Sequence, residues 1–173
     1  MRYVSLIICL INFSWAFSQE QGDLTKKEQK FVKSMFQEGS TAEAIELPDQ
    51  NLALEGTRRE GDRIYLIKQQ DVVLGYLLST RAMGRYDYFD YLLAYAPDLT
   101  VQGLTITVYR SSHGAAICQK KWLGQFEAYS GENLTLGKDI DAVAGATISA
   151  TSMVKDVKRC YRFMIALKED GII

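Results

Sequence analysis

The segment Asp141-Ala-Val-Ala-Gly-Ala-Thr-Ile-Ser-Ala150 sets one carboxylate and two hydroxyls among small residues, just ahead of a long apolar repeat. Two readings of it are open. In the first, the small residues let a turn pack closely and Thr147, Ser149 or Thr151 caps the helix that follows. In the second, the backbone N–H groups of a helix N-terminus, with no bulky side chains in the way, hold a phosphate group. A hydroxyl at such a place is also open to esterification. Other chemistries have weaker support. His113 is the single histidine, so a Ser-His-Asp or Cys-His hydrolase would have to be built around it, and no G-x-S-x-G turn accompanies it. No CxxC occurs, which removes the ligand spacing of structural zinc and of covalent haem; no metal site is expected.

These residues need a frame. Leu24, Phe31, Val32, Met35 and Phe36 fall near one side of the stretch from Asp23 to Glu38, with lysines opposite and Gly39 after it, which predicts an amphipathic helix. From Arg63 the texture turns β-branched and aromatic. Ile64–Ile67, Val72–Leu78, Tyr88–Tyr95 and Leu104–Tyr109 are four strand candidates joined by short polar connections, hence antiparallel neighbours. Lys120 to Tyr129 carries Trp122, Leu123 and Phe126 at helical spacing and predicts a short helix, with a loop at 130–133. From Ala150 onward Met153, Val154, Val157, Cys160, Tyr161 and Met164 recur at steps of three and four, predicting a helix of about four turns that packs on the sheet. The expected fold is α+β: a twisted antiparallel sheet with an N-terminal helix, a short middle helix and a long C-terminal helix, in one domain over residues 19–173.

The Gly145-Ala146-Thr147 segment, preceded by Asp141 and followed by Ser149 and Ser152, resembles the FMN-binding domain family. That family includes the flavin-carrying subunits of the sodium-pumping NADH:quinone oxidoreductase and of Rnf-type complexes, together with small secreted relatives. The resemblance implies that Thr147 is joined to FMN through a phosphoester by a dedicated flavin transferase, with Asp141, Gly145, Ala146 and Ser149 as further site residues. A second stretch, Thr107 to Phe126, is similar to the family's strand, turn and short helix ahead of the flavin; it keeps His113-Gly114 and Lys121-Trp122-Leu123. His113 and Gly114 are then candidates for the flavin edge, with an uninvolved surface histidine as the other reading of His113. Trp122 is a core residue or a cofactor contact. Lys121 is a solvated cation, or one placed to stabilise the charge of reduced flavin. Ala144 stands where the family has Ser or Thr, Ala115-Ala116 where a Glu is expected, and Cys118 where Gly is common.

The ends and the composition give a location. With 47% apolar and 24% charged residues in 173, the chain has a globular composition. A net charge of −1 gives no electrostatic case for nucleic acid. Residues 1–18 read as a secretory signal peptide cleaved after Ser18, with an uncleaved anchor as the other reading: one basic residue, then an apolar run shorter than the roughly 20 residues of a spanning helix. Cys9, preceded by Ile8, does not make a lipidation site. The protein is therefore expected outside the cytoplasm, periplasmic or on the outer face of the cytoplasmic membrane. There Cys118 and Cys160 could form one bridge, or Cys160 could be a small buried residue. Two functions from different classes are carried forward. One is an electron carrier with covalent FMN, matured by a flavin transferase and exchanging electrons with redox partner proteins, membrane-bound or soluble. The other is a flavin-free binding or interaction domain that keeps the fold.

Overall fold

The computed structural model describes residues 24–48 and 56–173; the leader expected over residues 1–18 lies outside the described residues. Helix α1 runs over Lys26–Met35 and starts on a complete capping box. Thr25 Oγ1 accepts from the Glu28 N–H, and the Glu28 carboxylate accepts from the Thr25 N–H at 2.7 Å. Glu28 has a second task. It is buried and also accepts from Arg63 at 2.6 Å and from Ser79 at 3.0 Å, so the capping residue pins α1 to the sheet.

Five strands follow: β1 (Thr41–Ile45), β2 (Arg63–Gln69), β3 (Val72–Met83), β4 (Tyr88–Tyr95) and β5 (Val101–Tyr109). They form one sheet in the order β1-β2-β3-β4-β5, antiparallel throughout. Short connections allow this, because an antiparallel neighbour needs only a tight turn where a parallel one needs a crossover. A 3-10 turn at Ala115–Cys118, the single-turn helix α2 (Lys120–Leu123) and a second 3-10 turn at Gly124–Phe126 precede the closing helix α3 (Thr147–Glu169). The fold is α+β, as expected. In detail β1 is additional, β3 extends five residues past Leu78, and α3 has 23 residues, roughly six turns rather than four.

Helices cover both faces of the sheet. On one side Phe31 and Val32 of α1 pack on Tyr65, Ile67, Leu77, Leu92 and Ala94. On the other, Met153, Val157, Cys160, Phe163 and Met164 of α3 pack on Leu78, Ala82, Phe89, Tyr91, Leu93 and Tyr95. Successive strand residues point to opposite faces, so a strand covered on both sides is buried almost continuously. β4 is such a strand: Tyr91, Leu92, Leu93, Ala94 and Tyr95 are all at most 1% exposed. Each large side chain buried this way contributes about 1.5–3 kcal/mol.

A charged network locks α3 to the segment before β2. Arg159 donates to Asp62 at 2.8 Å, to Asp156 at 2.8 Å and to the Thr57 carbonyl at 2.6 Å. It also reaches Thr80 Oγ1 at 2.9 Å, whose own proton goes to Asp62. Arg59 adds a second cation 2.7 Å from Asp156, and Tyr91 donates to Asp156 at 2.7 Å. Two arginines thus face two carboxylates. Burial opposes the charge on Arg159, but the ionisable groups around it, Cys160, Asp156 and Asp62, outweigh that and hold it protonated. Removing one partner of such a buried group is costly because the others are left uncompensated. Cys160 sits beside this network with its sulfur 3.2 Å from Tyr91 Oη. Cys160 and the half-buried Cys118 are both free thiols, so the bridge considered from sequence does not form.

Candidate functional site

The 141–147 stretch folds as a turn that delivers the chain into α3. Val143 to Ala146 is closed by the Ala146 N–H donating to the Val143 carbonyl at 3.0 Å, and its third residue, Gly145, has φ +73°. A Cβ on Gly145 would meet nothing within 4 Å, so the backbone conformation, not crowding, asks for glycine here. Ala146 is then the N-cap, and an alanine has no side chain with which to cap. No side-chain cap is made. The Ala150 N–H is the first to find a partner inside the helix, at the Ala146 carbonyl. The N–H groups of Thr147, Ile148 and Ser149 are thus left without an acceptor among the described residues, at the positive end of the helix dipole.

The two hydroxyls of the turn have different surroundings. Thr147, the first residue of α3, is exposed, and its side chain makes no hydrogen bond among the described residues. Ser149 is buried at 1% exposed, with its Oγ 2.9 Å from Tyr109 Oη. Tyr109 spends its proton on the His113 carbonyl at 2.7 Å, so Ser149 is the donor between the two. This chain of bonds fixes the 111–114 turn over the start of α3. Gly114 completes the fit. Its φ is +85°, and an added Cβ would stand 2.6 Å from Tyr109 Oη and 3.0 Å from Ser149 Oγ.

The result is an open cleft of about 250 Å³ lined by Arg85, His113, Gly114, Gly145, Ala146, Thr147, Ile148 and Ser149. Six of the nine residues singled out from sequence therefore meet in one place. The other three do not line it. Asp141 is exposed, with its backbone gripped from both sides: its N–H donates to Gln125 Oε1 at 2.8 Å and its carbonyl accepts from Trp122 Nε1 at 2.8 Å. Trp122 is a core residue, 5% exposed and edge-on to Phe126, so it positions the turn at Asp141 from behind. Lys121 is exposed on α2.

No protein-family model matches the chain, and no curated protein matches it. Among solved structures it is similar to the crystal structure of Shewanella oneidensis NqrC, with 18% identity, a TM-score of 0.46, and coverage of 82% of this chain and 71% of that one. A likeness that distant does not carry a function from one chain to the other.

Two residues that shape the cleft were not singled out from the sequence. Arg85 lines it from the turn between β3 and β4, and Tyr109, the last residue of β5, braces it from behind through Ser149 and the His113 carbonyl. An arginine in a hairpin turn and a tyrosine in a strand are ordinary as sequence, and only the packing against α3 marks them. A larger concavity of about 810 Å³ lies on the α1 side of the sheet. Several of its cations are committed: Lys27 to the Thr107 carbonyl, Arg63 to Glu28, and Arg110 to Asp90. Among the described residues no group of three or more His, Cys, Asp or Glu could hold a metal ion, and no helix is long and apolar enough to cross a membrane.

Proposed function

We propose that the protein is an exported electron carrier with FMN bound to Thr147 through a phosphoester. The observation that carries the reading is the exposed Thr147 hydroxyl at the first position of a 23-residue helix whose leading N–H groups have no acceptor. A phosphate on that oxygen would have those N–H groups within its reach. As a diester it keeps one negative charge, which a helix N-terminus favours by about 0.3–1 kcal/mol per contact. That is enough to orient the group and too little to retain a cofactor, so retention falls to the covalent bond. The glycines at 114 and 145 and the alanines at 144 and 146 leave the approach unobstructed.

FMN would supply the electron chemistry when bound, and this chain's residues would hold and orient its phosphate. Thr147 gives up its hydroxyl proton as the Oγ1–P bond forms, while the transferase's FMN donor loses its leaving group; the net addition is FMN less one water. Ser149, Tyr109 and the His113 carbonyl keep the cleft's far wall in place. Asp141, exposed on a backbone held by Gln125 and Trp122, is the carboxylate that the transferase would read in this proposal. Attachment suits a protein working outside the cytoplasm, where a cofactor that dissociates has no pool to return from. Redox partner proteins, soluble or membrane-bound, deliver and remove the electrons.

The test is the mass of the tryptic peptide from Asp139 to Lys155 in protein produced with a flavin transferase and an export pathway. Addition of FMN less one water on Thr147 is expected, together with its loss in Thr147→Ala, whose far-UV circular dichroism stays native. An unmodified peptide, or the mass on Ser149 or Thr151, overturns the reading and leaves the flavin-free binding domain in its place.

A further inference from the structure

The cleft is small for the group assigned to it. Sites that enclose a cofactor-sized ligand run to about 300–1,000 Å³, whereas this one has about 250 Å³ and is open. A phosphate held there would leave the isoalloxazine at the rim, beside the hairpin between β3 and β4, which contributes Arg85 to the lining.

That hairpin turn, Gly84 to Asp87, is closed by the Gly84 N–H donating to the Asp87 carbonyl at 2.8 Å. It rests on α3 at Ser149, whose Oγ would stand 3.6 Å from a Cβ placed on Gly84. Arg85 reaches the cleft with its guanidinium over the Tyr86 ring, 5.1 Å from its centroid, and none of its N–H groups is spent on an oxygen among the described residues. Tyr86 is 64% exposed, and its ring and that of His113 form a T-shaped pair with centroids 6.0 Å apart and planes at 73°. Ile148, 54% exposed on the first turn of α3, adds apolar surface to the cleft's lining. A cation with no oxygen partner among the described residues, lining the cleft, and the exposed aromatic ring it covers thus stand together in the turn at the cleft's edge.

We propose that the hairpin turn is the second wall of the flavin site, with Arg85 donating to the phosphodiester on Thr147 and Tyr86, braced by His113, stacking on the isoalloxazine. The assignment rests on the flavin reading above and adds to it the residues that position the group. A bidentate guanidinium matches two phosphate oxygens in a way a lysine ammonium cannot. A tyrosine stacked on a flavin quenches its fluorescence by donating an electron to the excited ring, so the stack has an optical signature that a purely structural residue lacks.

The experiment uses the full chain, flavinylated in the presence of a transferase, with the Asp139–Lys155 peptide mass taken for every variant. Tyr86→Leu should raise flavin fluorescence several-fold at unchanged flavin content, and Tyr86→Trp should keep it quenched. Arg85→Gln should shift the phosphorus-31 resonance of the diester and broaden it, with Arg85→Lys restoring the position only in part. Unchanged fluorescence in Tyr86→Leu together with an unchanged resonance in Arg85→Gln, in proteins that carry the mass on Thr147, overturns the hairpin assignment and leaves the flavin reading standing. An unmodified Thr147 in the parent protein overturns both.

Discussion

Ser149 Oγ stands 2.9 Å from Tyr109 Oη and joins the first turn of α3 to the last residue of β5. Because Tyr109 donates onward to the His113 carbonyl at 2.7 Å, the two hydroxyls act in series. Tyr109→Phe removes both bonds, and Ser149→Ala removes one and frees Tyr109 from its donor. Each should lower stability by about 1–2 kcal/mol, seen as a lower urea midpoint. The double variant should lose less than the sum of the singles, since they share a bond. Strict additivity would show that the bond does not couple the two elements.

Asp141→Asn should leave stability within about 0.5 kcal/mol, because the side chain is exposed and the position is held through its backbone. Under the proposed function, in which the transferase reads Asp141, flavin on Thr147 should nevertheless fall sharply. Full flavinylation of this variant, read from the intact mass, removes Asp141 from the site.

Tyr95 is fully buried, and its Oη is buried without a hydrogen-bond partner among the described residues. A buried hydroxyl without a partner costs about 1–3 kcal/mol of desolvation. Tyr95→Phe keeps the ring and removes that oxygen. We expect an unchanged or higher thermal midpoint, against the usual direction for a core substitution. A drop of more than about 1 kcal/mol in chemical denaturation would mean that the hydroxyl has a partner.

Burial pushes the Cys160 thiol from an ordinary value near 9.0 up to about 12, with Asp156 and Asp62 adding to the rise and Arg159 and the Tyr91 hydrogen bond opposing it. In the unfolded chain the thiol loses its proton near 9; in the folded one it keeps it. The folded state therefore binds more protons across that window. Stability from this group is complete below pH 9 and falls as pH climbs toward 12. Cys160→Ser carries no group that ionises there. The stability gap between the parent and this variant should shrink by roughly 1 kcal/mol on going from about pH 8 to about pH 10. Urea midpoints taken at both ends decide it, and parallel curves would contradict the shifted thiol.

Much of the frame is legible in the sequence because it is written in local pattern. The three-and-four repeat from Met153 to Met164 became the buried face of α3, and the β-branched and aromatic runs became β2 to β5. β1 was not legible. Thr41–Ile45 reads Thr-Ala-Glu-Ala-Ile, lies at the sheet's edge with no residue fully buried, and gains its strand character only by pairing with β2. The start of α3 was also missed by three residues, because the small residues from Ala146 to Ala150 carry little periodicity and the helix there is set by the turn before it.

The candidate site divides in the same way. Gly145, Ala146 and Thr147 stand together in the chain and His113 and Gly114 adjoin in a second stretch, so these could be named from residue types and from the family resemblance alone. Only the tertiary structure separated the exposed Thr147 from the buried Ser149, set Trp122 behind Asp141, brought Arg85 to the cleft and joined Tyr109 to Ser149. Those outcomes depend on contacts between residues far apart in sequence, 40 positions for Tyr109 and Ser149 and 97 for Arg159 and Asp62. Such contacts follow from strand register and from how a helix lies across a sheet. Hydrophobic periodicity fixes which face of an element is buried; which residue on another element it meets is decided when the elements pack.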